Sequence, residues 1–162
     1  MKQHSKRRRL WNCLAWKIFI THWQGHRRLT LRTLEAFPED KLFSYKVEPM
    51  RTYGEIVGEM IMVESYTLNG IVSGNWAWKQ GEALTSKDAL LAAFAQRESS
   101  AKELWSKLTS ERVQAVEKDA MELTWSNRDR LLYMLDNEIH HRAQGYVYLR
   151  LLGLEPPAFW ER

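Results

Sequence analysis

At 162 residues, with 44% hydrophobic and 27% charged positions, the chain suits one globular domain with a real core and excludes a disordered segment. Its formal charge is +4, but Lys2, Lys6, Arg7, Arg8 and Arg9 supply five positive charges, so the rest of the chain sums to −1. The basicity therefore belongs to a short arm rather than to a docking face, and no nucleic-acid partner is expected.

A single cysteine, Cys13, leaves no disulfide within the chain and reads as a small core hydrophobe in a reducing cytoplasm. Arg7-Arg8-Arg9-Leu10-Trp11 loosely resembles a twin-arginine leader. Asn12 and Lys17 interrupt the apolar stretch behind it, and no small-x-small cleavage site follows. No run approaches the ~18 apolar residues of a membrane helix, so no membrane partner is expected. The expected organisation is a basic tail over 1–9, one helical domain over 10–157 and a short C-terminal tail over 158–162, all cytoplasmic.

The first predicted helix runs from about Leu10 to Ala36 and stops at Phe37-Pro38; its apolar stripe is Trp16, Phe19, Trp23, Thr30 and Leu34. His22 and His26 on it stand at i, i+4, a spacing that suits two imidazoles on one metal. Arg27 and Arg28 beside them mark the face as a wet surface with exposed histidines. The second helix runs from about Thr52 to Asn69, with Gly70 as its stop. Its stripe is Ile56, Glu59, Val63 and Tyr66, a carboxylate among apolar neighbours. Thr85 and Asp88 read as a capping box opening the third helix, whose stripe is Leu91, Phe94, Ala101, Leu104/Trp105 and Leu108. The fourth opens near Ser126 or Asn127 and closes at Gly153, before Pro156-Pro157. No strand-like alternation is visible. Connections of about fifteen residues allow crossovers, so the fold class is an all-α four-helix bundle with long crossover connections.

The fourth helix carries two stripes. One is Met134, Asn137, His141, Gly145, Tyr148 and Leu152, apolar at both ends and polar in the middle. A buried carboxylate or imidazole costs several kcal/mol unless it is paired or metal-bound, so this stripe and the one holding Glu59 are expected to face each other. The other stripe is Leu132, Leu135, Ile139, Ala143, Tyr146 and Val147. It is either a homodimer contact or buried more deeply in the chain's own core.

Asn137-Glu138-Ile139-His140-His141-Arg142-Ala143-Gln144, continuing through Tyr148-Leu149-Arg150-Leu151-Leu152-Gly153 to Pro156-Pro157, resembles the signature helix of DinB/YfiT-like proteins, H-E-x-H-H-R-G-Q followed by V-Y-L-R-x-x-G. Arg51-Thr52-Tyr53-Gly54-Glu55-Ile56-Val57-Gly58-Glu59-Met60 is similar to the family's G-E-x-x-x-H segment, and Phe37-Pro38-Glu39-Asp40-Lys41-Leu42 to its connector. The resemblance covers roughly Leu31 to Pro157. It implies a bundle in which three histidines hold a divalent metal, zinc or nickel, in hydrolases, thiol-dependent transferases or isomerases, often of unknown substrate. At the three ligand positions this chain has Glu59, Asn137 and His141, so only His141 matches. Ala143 also replaces a family glycine.

Two readings stay open. One is a degenerate metal site, in which an amide is a poor ligand for zinc and a Glu/Asn/His set binds weakly. The other is a metal-free hydrogen-bonded trio, with Glu59 accepting and Asn137 and His141 donating. His140 falls to a supporting or surface position. Trp23, Tyr66, Trp76 and Trp78 are candidates to wall a pocket, and Glu55 and Glu64 are solvated acid/base groups. The functional expectation is a divergent relative of metal-dependent hydrolases or thiol S-transferases. The alternative is a non-catalytic, stress-related homodimeric binding protein, with a small molecule, a thiol among the candidates, as ligand.

Overall fold

A computed structural model describes residues 2–77, 81 and 83–162, with side chains from Ile18 onward. The expectations about Cys13 and Trp78 lie outside those described side chains. In chain order come α1 (Lys2–Ala36), a one-turn α2 (Glu39–Leu42), α3 (Tyr53–Ser73), α4 (Lys87–Lys107), a short α5 (Ser110–Gln114), a hairpin of β1 (Val116–Lys118) and β2 (Thr124–Ser126), and α6 (Asn127–Leu151).

The four long helices form the expected all-α bundle. α6 packs on both α1 and α3, while α4 packs on α3 and more lightly on α1. Leu34, Ile56, Leu90 and Tyr148 meet in one core cluster. Trp23, Leu68, Ala101 and Leu131 meet in the other. Reading residue numbers across the two clusters gives the directions: α1 and α6 run one way, α3 and α4 the other. The order is thus up-down-down-up, and the long 74–86 connection is the crossover that two consecutive parallel helices require.

Local chemistry sets the boundaries. Thr52 caps α3 in a full capping box, its backbone N–H donating to Glu55 Oε2 at 2.8 Å. α3 does not stop at Gly70. It continues to Ser73, and Gly74, at φ 72°, makes the left-handed stop. Gly70 serves packing instead, because a Cβ there would lie 2.3 Å from the Trp76 ring. Ser86, not Thr85, caps α4, since its hydroxyl reaches the Ala89 N–H three residues on at 3.1 Å. Ser126 does the same for α6 through the Asp129 N–H. α1 begins at Lys2 rather than near Leu10.

The hairpin was not legible from alternation because each strand has only three residues. Its turn is made by Asp119, whose Oδ1 accepts from the N–H groups of Met121 and Leu123 at 2.9 and 3.0 Å. Asp119 is in turn held by the buried guanidinium of Arg130. Nearby, Glu117 accepts two hydrogen bonds from Arg112, at 2.7 and 2.8 Å. These lower its carboxyl pKa to about 2.

Candidate functional site

α6 presents two polar stripes at the same level, one residue apart. Asn137 and His141 point to α3, and Glu138 and Arg142 point to α1; all four are buried. The i, i+4 spacing keeps each pair on one face, and the 100° step between neighbours divides the pairs between two partner helices.

Toward α3, Glu59 meets both expected partners. His141 Nε2 lies 3.0 Å from Glu59 Oε1, and Asn137 Nδ2 donates to the same oxygen at 3.4 Å. The other carboxylate oxygen is ion-paired with Arg51, which precedes the α3 cap. The second ring nitrogen of His141 faces Gln144 Oε1 at 2.9 Å, and Gln144 Nε2 continues to the exposed His140 at 3.3 Å. Burial pushes the Glu59 carboxyl up, but the hydrogen bonds from Arg51 and His141 outweigh it and hold the group below the ordinary carboxylate range.

A three-imidazole metal centre does not fit these residues. There is one imidazole, and each of its nitrogens faces an oxygen. The only carboxylate is already engaged on both oxygens, and one of its partners is a cation. Among the described residues no group of three His, Cys, Asp or Glu side chains converges as metal donors. Asn137 Oδ1, in contrast, is buried and lacks a hydrogen-bond partner among the described residues.

Toward α1 lies a charged network that sequence reasoning missed. Glu138 accepts from Arg27 Nε at 3.1 Å and Nη2 at 3.0 Å, and from the Thr30 hydroxyl at 2.7 Å. The third arm of Arg27 pairs with Glu64 on α3 at 2.6 Å. Arg142 donates to the His26 carbonyl at 3.1 Å and lies 2.9 Å from His26 Nδ1. Two guanidiniums and two carboxylates thus balance inside the bundle, with the Arg27 guanidinium 4.5 Å from the Phe94 ring centre.

The expectation of a wet α1 face holds for His22 and Arg28, which are exposed, and fails for His26 and Arg27, which are 6% and 9% exposed. Glu64, expected to be solvated, is 1% exposed, and its burial raises its pKa even beside Arg27. The stripe on α1 has a gap between Trp23 and Thr30, and Arg27 fills it. That gap was the available signal. Burial, then Arg142, His22 and Arg162, brings His26 down to about 4. His22 Nε2 sits 3.2 Å from His26 Nε2.

The remaining sequence candidates lie elsewhere. Trp23 and Tyr66 belong to the second core cluster, away from Glu59, which is two helical turns before Tyr66. The Tyr66 hydroxyl donates to the Trp76 carbonyl at 3.2 Å, so it braces the crossover rather than lining the trio. Glu55 is consumed in the α3 cap.

Comparison with known proteins agrees with this architecture. A DinB-like protein, YjoA, from Bacillus subtilis superposes with a TM-score of 0.73 at 23% identity, over 89% of this chain and 99% of that one. A DinB-like protein from Bacillus cereus gives 0.71 at 17%, over 88% and 95%. At these identities the likeness concerns the fold alone. No curated protein matches the sequence. The DinB family model matches residues 1–162, and the chain belongs to the DinB family.

Proposed function

We propose that this chain is a metal-independent, non-catalytic member of its family, a binding protein in which an internal ion pair replaces the metal. The observation that carries this reading is the state of Glu59: His141 and Asn137 bond one oxygen, and Arg51 neutralises the other. A divalent ion here would have to displace a guanidinium and draw on an amide, a poor ligand for zinc or nickel. The competing reading, a weak zinc or nickel centre in a hydrolase or thiol S-transferase, draws on family membership and on the orphaned Asn137 Oδ1.

The finer reading includes a homodimer along α6. Leu135 and Tyr146 of the second stripe turn into the chain's own core, but Leu132 and Val147 remain 45% and 52% exposed. A cytoplasmic location belongs to the same proposal. No helix among the described residues is long and apolar enough to cross a membrane.

Calorimetric titration with zinc separates the two readings. Wild type binds more weakly than about 10 µM, and Glu59→His/Asn137→His gains about 100-fold or more, since each strong ligand is worth at least tenfold. Adding His141→Ala removes the gain. Submicromolar zinc binding by the wild type, lost in Glu59→Gln, would overturn the metal-free reading.

A further inference from the structure

The chain turns sharply after α6. Gly153 adopts φ 76°, the Leu154 N–H returns to the Leu149 carbonyl at 2.8 Å, and two prolines follow. The tail is then pinned on α1 by Arg32–Glu161 at 3.0 Å and by Arg162 to His26 at 3.1 Å. Between this return and α6 lies a cavity of about 580 Å³ whose walls include Tyr146, Arg150, Pro157, Phe159 and Trp160. Small-molecule sites span roughly 300–1,000 Å³.

Two features of this cavity are unexplained by folding. Arg150 is exposed and makes no ion pair among the described residues; its guanidinium sits 5.8 Å from the Tyr146 ring centre. Phe159 and Trp160 contact each other edge-on at 5.2 Å while remaining 65% and 68% exposed. Large aromatics left in water beside a cation without an ion pair are complementary to a flat apolar body bearing one acceptor anion.

We propose that this cavity binds a small aromatic monocarboxylate. The guanidinium of Arg150 takes the carboxylate, and the ring stacks against Trp160 and Phe159. Glu155 also borders the space, which disfavours a second negative charge on the ligand. The site stands apart from the Glu59 trio, so its fate does not depend on the metal question.

The test is calorimetric titration of the full chain with 2-naphthoate, backed by saturation-transfer NMR. Binding at about 10–100 µM is expected. Arg150→Gln weakens it about tenfold or more. Trp160→Ala weakens it about tenfold. The uncharged 2-naphthalenemethanol binds about tenfold more weakly than the acid. Arg150 and Trp160 are exposed, so circular dichroism should match wild type in both variants.

No saturable binding by about 1 mM overturns the proposal. So does unchanged affinity in Arg150→Gln, which would place the ligand elsewhere. A dimer dispersed by Trp160→Ala, with no naphthoate binding, would assign the aromatic surface to a second copy of the chain instead.

Discussion

Glu138→Gln is the most informative single change in the bundle. It keeps the shape and removes one of the two carboxylates of the α1–α3–α6 network. Arg27 then keeps only Glu64 as a carboxylate partner, while the lost carboxylate had accepted three hydrogen bonds, two from Arg27 and one from Thr30. Breaking a buried ion pair by neutralising one partner costs about 3–5 kcal/mol, because the other charge stays buried without compensation. Against a total stability of about 5–15 kcal/mol that is a large fraction. At about 2–4 °C per kcal/mol for a chain of this size, the melting midpoint should fall by about 10 °C. Urea unfolding followed by far-UV circular dichroism measures the loss. Arg27→Met in the same background should show a coupling of at least about 1 kcal/mol with Glu138→Gln. Raising salt to about 1 M should change the wild-type value little, since buried pairs are weakly screened. A Glu138→Gln loss below about 0.5 kcal/mol would refute the reasoning and mean that water or a neutral Arg27 environment carries the network.

Three other outcomes follow from the geometry. His26 is held near 4 in the fold against 6.5 ordinarily, so the unfolded chain takes up the extra proton: stability is full above about pH 6.5 and declines as pH falls toward 4. The loss should reach about 1–2 kcal/mol at pH 5, and His26→Gln should flatten that part of the stability-pH curve. Val147→Glu on the exposed face of α6 should shift a dimer toward the 19.2 kDa monomer in light scattering without changing the dichroism spectrum. A wild type that is already monomeric at micromolar concentration would remove the homodimer from the proposal. Deleting the residues before Arg9 should leave the melting midpoint unchanged, because they carry charge and no apolar stripe; a large fall would show that the start of α1 is packed.

What the sequence disclosed and what it hid divide along one physical line. Asn137 and His141 stand one turn apart on a helix that is apolar above and below them, and Glu59 interrupts a similar stripe. Periodicity and the burial penalty together were enough to set them face to face. Arg51 lies outside any helix, two residues before Tyr53, so no period reports its reach onto Glu59. Yet that contact decides whether the trio presents a free carboxylate.

The charged network was hidden for a related reason. Arg27 and Glu64 are residue types that ordinarily mark a wet face, and their burial depends on partners far away in the chain, with 111 positions separating Arg27 from Glu138. Periodicity reports which side a residue is on, not whether a guanidinium there has two carboxylates waiting across the core. The recurrent H-E-x-H-H-R pattern nevertheless contained half of the answer. Its Glu138 and Arg142 are themselves one turn apart, so a motif read only for its metal ligands also encodes the neighbouring face that clamps α1. In this chain that second face carries both charges, while the first has an asparagine in place of one of the pattern's histidines. The clamp therefore ties α6 to α1 through contacts separate from those of Glu59 and His141.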